Sequence, residues 1–98
     1  MIRHMIFWNL ADPVADRAET ERFLKESFAA MVGAVPGLRG AHIGFDLGLG
    51  TYDVGLCCDL DSMEALAAYQ DYPPHVAFKT WAKTHFKDRA CVDLEVEG

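Results

Sequence analysis

The chain has 98 residues, 51% of them hydrophobic and 24% charged, with a net charge of -6. Such a length suits one domain with one core, and the composition excludes a disordered or low-complexity chain. The scattered cations, nine against 15 acids, exclude the basic stripe of a nucleic-acid binder. The longest uncharged run, residues 27–38, excludes a membrane-spanning helix, which needs about 20 apolar residues.

Residues 1–10 alternate like a strand, with Ile2, His4, Ile6, Trp8 and Leu10 on one face and Arg3, Met5, Phe7 and Asn9 on the other. Both faces are apolar in the middle, so both are expected to be covered. The pair Asp12 and Pro13 is a helix-start signal. It predicts a helix reaching residue 31 or 32, with Phe23, Leu24, Phe28, Met31 and Val32 as its apolar stripe. Gly33, Pro36 and Gly37 end it.

A second strand is predicted over 38–45, followed by a glycine-rich loop and a third strand over 52–60. Asp61 and Ser62, with Glu64 close behind, resemble a capping box and open a short helix that stops before Pro73 and Pro74. Another helix is predicted over 74–86. Residues 89–97 close the chain as a strand, with Ala90, Val92, Leu94 and Val96 facing inward and Asp93, Glu95 and Glu97 outward. The order βαββααβ predicts one α+β domain over residues 1–98, a ferredoxin-like sandwich with a four-stranded, mainly antiparallel sheet. Helices cover only one face of such a sheet. A second copy of the chain is the simplest cover for the other face, and a pocket is also expected there.

Three cysteines, two of them adjacent at Cys57 and Cys58, form no disulfide framework. Together with a strand-like N-terminus lacking a cleavage site, they point to reduced thiols in the cytoplasm. No cofactor motif is present. The four histidines fit no zinc spacing, so no metal is expected.

Several segments together resemble the stress-responsive dimeric α/β-barrel (Dabb) family. They are residues 2–7 with His4, the turn Val35, Pro36, Gly37 and Leu38, residues 52–56 with 59–62, residues 68–75 with Tyr69 and His75, and residues 88–93. The resemblance covers essentially the whole chain. It implies a homodimer in which two four-stranded sheets face each other as a barrel. Members include plant stress proteins and the plant polyketide enzyme olivetolic acid cyclase, while related barrels include cofactor-free monooxygenases and lactone isomerases. Resemblance to the cyclase implies His75 as general base, Tyr69 as its hydroxyl partner and His4 in the same pocket. That enzyme carries a further pocket histidine where this chain has Val54.

Read as chemistry alone, His75 sits in the first turn of a predicted helix, where the helix dipole keeps the imidazole neutral. Its ordinary pKa near 6.5 suits a general base. Tyr69 could donate its hydroxyl to a developing enolate. Each also has a structural reading: His75 as a helix-start residue, Tyr69 as core, His4 as a satisfied buried histidine. The expected ligand is small and mostly apolar, held between sheet and helices by His4, Ile6, Trp8, Phe23, Leu24, Val54 and Leu56. The functions that follow are cofactor-independent cyclisation or isomerisation, binding without catalysis, or stress-associated assembly; neither nucleic acid nor membrane is expected as a partner.

Overall fold

The alternation that opens the chain becomes β1 (Ile2–Leu10), a central strand of the sheet. His4, Ile6 and Trp8 are buried on one face, while Arg3, Met5 and Phe7 are only half-buried on the other. The computed structural model describes residues 1–13 and 16–97. Helix α1 (Arg17–Met31) follows, then β2 (Leu38–Phe45), β3 (Val54–Leu60), α2 (Met63–Asp71), α3 (Pro73–His85) and β4 (Phe86–Glu95). The strand order is β2-β3-β1-β4, antiparallel throughout, which is the ferredoxin-like arrangement. Among the described residues, no helix is long and apolar enough to cross a membrane.

Helix α1 begins later than the sequence predicts. Its N-cap is Asp16, whose carboxylate accepts the Glu19 backbone N–H at 3.0 Å, so Asp12 and Pro13 lie outside the helix. Residues 14 and 15, which the predicted helix included, lie outside the described residues. The stripe is also narrower: Leu24, Phe28 and Met31 are buried, whereas Val32 and Phe23 are exposed. Val35, in the turn before β2, is buried instead.

The break between α2 and α3 matters most for the site. Tyr72 closes α2 and opens α3 at once, with φ -64° and ψ 125°. Pro73 has no N–H to continue α2, and its ring forces the preceding residue into an extended conformation. The two helices therefore meet at a joint instead of forming one rod.

Strand β4 carries the largest correction. Ala90, Val92 and Leu94 pair opposite Phe7, Met5 and Arg3, so they lie on the face away from the helices. Asp93, expected outward, pairs with His4 on the helix-covered face. Alternation shows that a strand has two different faces; it does not show which one a neighbouring strand shares. The face away from the helices is uncovered in the single chain: Val92 and Leu94 are 44% and 43% exposed, beside Met5 and Phe7.

Candidate functional site

Three of the residues that sequence points to meet under the helices. Tyr69, in the last turn of α2, is fully buried, and His4 and His75 are each 2% exposed. Six residues separate Tyr69 from His75, which in a continuous helix would place them about 240° apart around the axis. The Tyr72–Pro73 joint cancels that rotation. The His75 backbone N–H donates to the Tyr72 carbonyl at 2.9 Å, and the two rings lie 4.0 Å apart, tilted by 33°. His4 approaches the other side of Tyr69 edge-on, at 6.1 Å between ring centroids.

The polar atoms of this stack are incompletely partnered within the protein. His4 Nδ1–H donates to Asp93 Oδ1 at 2.5 Å, leaving Nε2 buried without a partner among the described residues. His75 Nδ1 is buried and likewise lacks one. The Tyr69 hydroxyl accepts a weak bond from the Cys58 thiol at 3.6 Å. Buried ring nitrogens without partners are uncommon, because each forfeits its hydration.

Burial sets the protonation of the group. It pushes the His75 pKa down from 6.5 to about 4; the Gln70 backbone carbonyl opposes the shift, and Lys79 and His4 add to it. Desolvation thus keeps the ring neutral at pH 7. Burial also raises the Tyr69 phenol far above its usual range, so the hydroxyl stays protonated. The same cause lifts the Cys58 thiol to about 11, and Cys57 and Cys91 are raised too, so none of the three is an activated nucleophile.

His75 forms part of the wall of a cavity of about 290 Å³ between α3, β1 and the start of β4. Ile6, Trp8 and Leu56 line it with Phe78 and Phe86. Tyr69 and His4 stand behind His75 and do not line it. Phe23 and Leu24 belong elsewhere, to a groove between α1 and α3, where Phe23 is 65% exposed. Val54 is buried at the start of β3, paired with Trp8, but does not line the His75 cavity; it lines a separate, wide hollow with Phe7, Gly44, Tyr52 and Gly55.

Asp93 is the residue that sequence reasoning missed. It reaches His4 by cross-strand pairing over 89 positions, and no local spacing announces that. Cys91, two residues earlier on the same face, brings its sulfur to 4.0 Å from His4 Nδ1. His4, Cys91 and Asp93 therefore gather three atoms of metal-ligating type. Two ligands on one tetrahedral zinc, with bonds of about 2.0–2.1 Å, stand about 3.3 Å apart. The His4–Asp93 contact at 2.5 Å is a hydrogen bond that orients the imidazole.

A ferredoxin-like sandwich with a histidine–tyrosine stack between sheet and helices defines the class of protein. The chain belongs to the stress responsive A/B barrel domain (Dabb) family, whose model matches residues 2–96. No curated protein matches it. Among solved structures it is similar to a dimeric ferredoxin-like protein of unknown function from Thermobifida fusca, at 31% identity over 97% of this chain and 90% of that one, with a TM-score of 0.80. A dimeric protein of unknown function with a ferredoxin-like fold from Bacteroides fragilis is 24% identical over 97% and 95%, with a TM-score of 0.82. A hydroxynitrile lyase from Passiflora edulis shares the fold at 12% identity over 98% and 93%, with a TM-score of 0.74.

Proposed function

We propose that residues 1–98 act as one Dabb domain that pairs with a second copy and binds a small, mostly apolar molecule in the His75 cavity. His75, backed by Tyr69, then accepts a proton from that molecule next to a carbonyl, as in cyclisation or isomerisation, without a cofactor. The observation that carries this reading is the stack itself: two buried histidines flank Tyr69, each with a ring nitrogen that no group among the described residues satisfies. A ligand polar atom at His75 Nδ1 would satisfy one of them. Pairing is supported by the uncovered apolar face around Met5, Phe7, Val92 and Leu94 and by the dimeric similar structures. The lyase supports catalysis only in that an enzyme occupies the same fold. Three free thiols fit a reducing, cytoplasmic setting.

Binding without catalysis is the second reading, and one observation favours it: a histidine whose pKa is about 4 is a weak base at pH 7. Hydrogen–deuterium exchange at carbons next to the carbonyl separates the two, followed by NMR with a panel of small aromatic ketones and β-dicarbonyl compounds. The catalytic reading expects exchange above the buffer rate for a bound member of the panel, lost in His75→Gln with binding retained. Exchange at the buffer rate for every bound compound leaves binding as the function.

A further inference from the structure

The cavity beside His75 has an apolar floor and a cationic mouth. Its floor is Ile6, Trp8, Leu56, Phe78 and Phe86; its rim is Lys79, Lys83, Lys87 and Arg89, against one carboxylate, Asp88. Four of the nine cations of an acidic chain thus ring one opening. Among the described residues, none of the four is engaged in a salt bridge. Lys79 is held by neutral oxygens, the Gln70 backbone carbonyl at 3.0 Å and its side-chain carbonyl at 3.5 Å. Asp88 is occupied in part by Asn9, whose amide donates to Oδ2 at 3.1 Å.

The backbone is shaped to place this rim. Successive strand residues normally point to opposite faces, yet Lys87, Asp88 and Arg89 all line the same cavity. The pairing of β1 with β4 slips between Phe7 and Asn9, so that Asp88 and Arg89 together face Trp8. Asp88 takes φ 55°, a left-handed conformation that a non-glycine residue adopts at some cost. Such a bulge re-aims side chains, and here it turns consecutive polar residues toward the mouth.

We propose that the ligand is an amphipathic carboxylic acid, with its apolar body on Trp8 and Leu56 and its carboxylate among Lys83, Lys87 and Arg89. A carboxylate suits these separated side-chain cations. No glycine lines the cavity among the described residues, so the glycine-rich backbone turn that cradles a phosphate is lacking. This inference rests on the binding function proposed above and names its substrate class.

Calorimetric titration of the intact protein at pH 7 with octanoate, 1-octanol and octylamine tests it. Octanol measures the apolar cavity alone. Octanoate is expected to bind about 3- to 10-fold tighter than octanol, the size of a few exposed ion pairs. That advantage should vanish in the double variant Lys83→Gln/Lys87→Gln, and at ~1 M salt, where screening acts within about 3 Å. Octanol binding as tightly as octanoate, or octylamine binding tighter than either, overturns the acid assignment and leaves the cavity reading standing. An octanoate preference that survives in the double variant overturns the role of the rim. Failure of all three compounds to bind overturns the binding function itself.

Discussion

The two faces of the sheet are built from the same four strands and are organised in opposite ways. On the helix-covered face, residues from distant segments converge: His4 and Trp8 from β1, Leu56 and Cys58 from β3, Tyr69 from α2 and His75 from α3. Burial there is nearly complete, and the polar groups are few and oriented. The other face carries exposed Val92 and Leu94, half-buried Met5 and Phe7, and an Arg3–Asp59 ion pair at 2.8 Å. The first face has what a binding site needs, a cavity with an apolar floor and a few placed polar groups. The second has what an interface needs, a broad apolar surface with a polar pair at its margin. Substitutions on the covered face should therefore change folding stability, and those on the open face should change association.

The largest effect expected is on the covered face. Phe28→Ala removes a fully buried ring that packs on Phe78 and should lower unfolding free energy by about 3–5 kcal/mol in urea titration. A loss below about 1 kcal/mol would mean that this face is not the core.

Next comes the pH dependence of His75. Its folded pKa, about 4, lies below the ordinary 6.5, so the unfolded chain takes up a proton first as pH falls. The stability contributed by the neutral buried ring is present above pH 6.5 and is lost as pH falls through 4. Urea midpoints measured from pH 7 to pH 4 should register about 2–4 kcal/mol. In His75→Gln that slope should flatten, and an unchanged slope would assign the titration to another group.

On the open face, the double substitution Val92→Lys/Leu94→Lys should convert the proposed dimer to monomer in sedimentation at micromolar concentration, with the urea midpoint of the separated monomer little altered. Persistence of the dimer would place the interface elsewhere. Smallest of all is Phe23→Ala. The side chain is mostly exposed on α1, and its loss should shift stability by no more than about 0.5 kcal/mol, within the range of surface changes.

Much of this was legible in the chain. Period-2 alternation located β1. A cap opens α2 where the sequence suggests one, although it is Ser62, accepting the Ala65 N–H at 3.1 Å, that makes it and not an Asp61–Glu64 box. The break before Pro73 followed from proline chemistry alone. Resemblance to the family already implies that Tyr69 and His75 share a site. What stayed hidden were consequences of register. Asp93 looked like a solvated strand residue until pairing set it opposite His4. Lys87 and Arg89 looked like scattered surface charge until the bulge at Asp88 turned them to one mouth. Phe23 and Leu24 were assigned to a pocket because they are large and apolar, a criterion that cannot separate a cavity wall from an α1–α3 groove. Periodicity reports on neighbours along the chain, whereas these features depend on which strand lies alongside and by how many residues it is shifted.

The joint at Tyr72 has a consequence for how such a protein could diversify. Seven consecutive residues, Tyr69 to His75, carry two side chains of the proposed site and the proline that sets their spacing. The charges at the mouth come from elsewhere, the exposed outer turns of α3 and the edge strand β4. The proposed reactive pair and the proposed charged rim thus lie on separate stretches of one short chain. On that reading, specificity can be varied by exchanging the rim cations on α3 and β4 while the seven-residue stretch stays as it is.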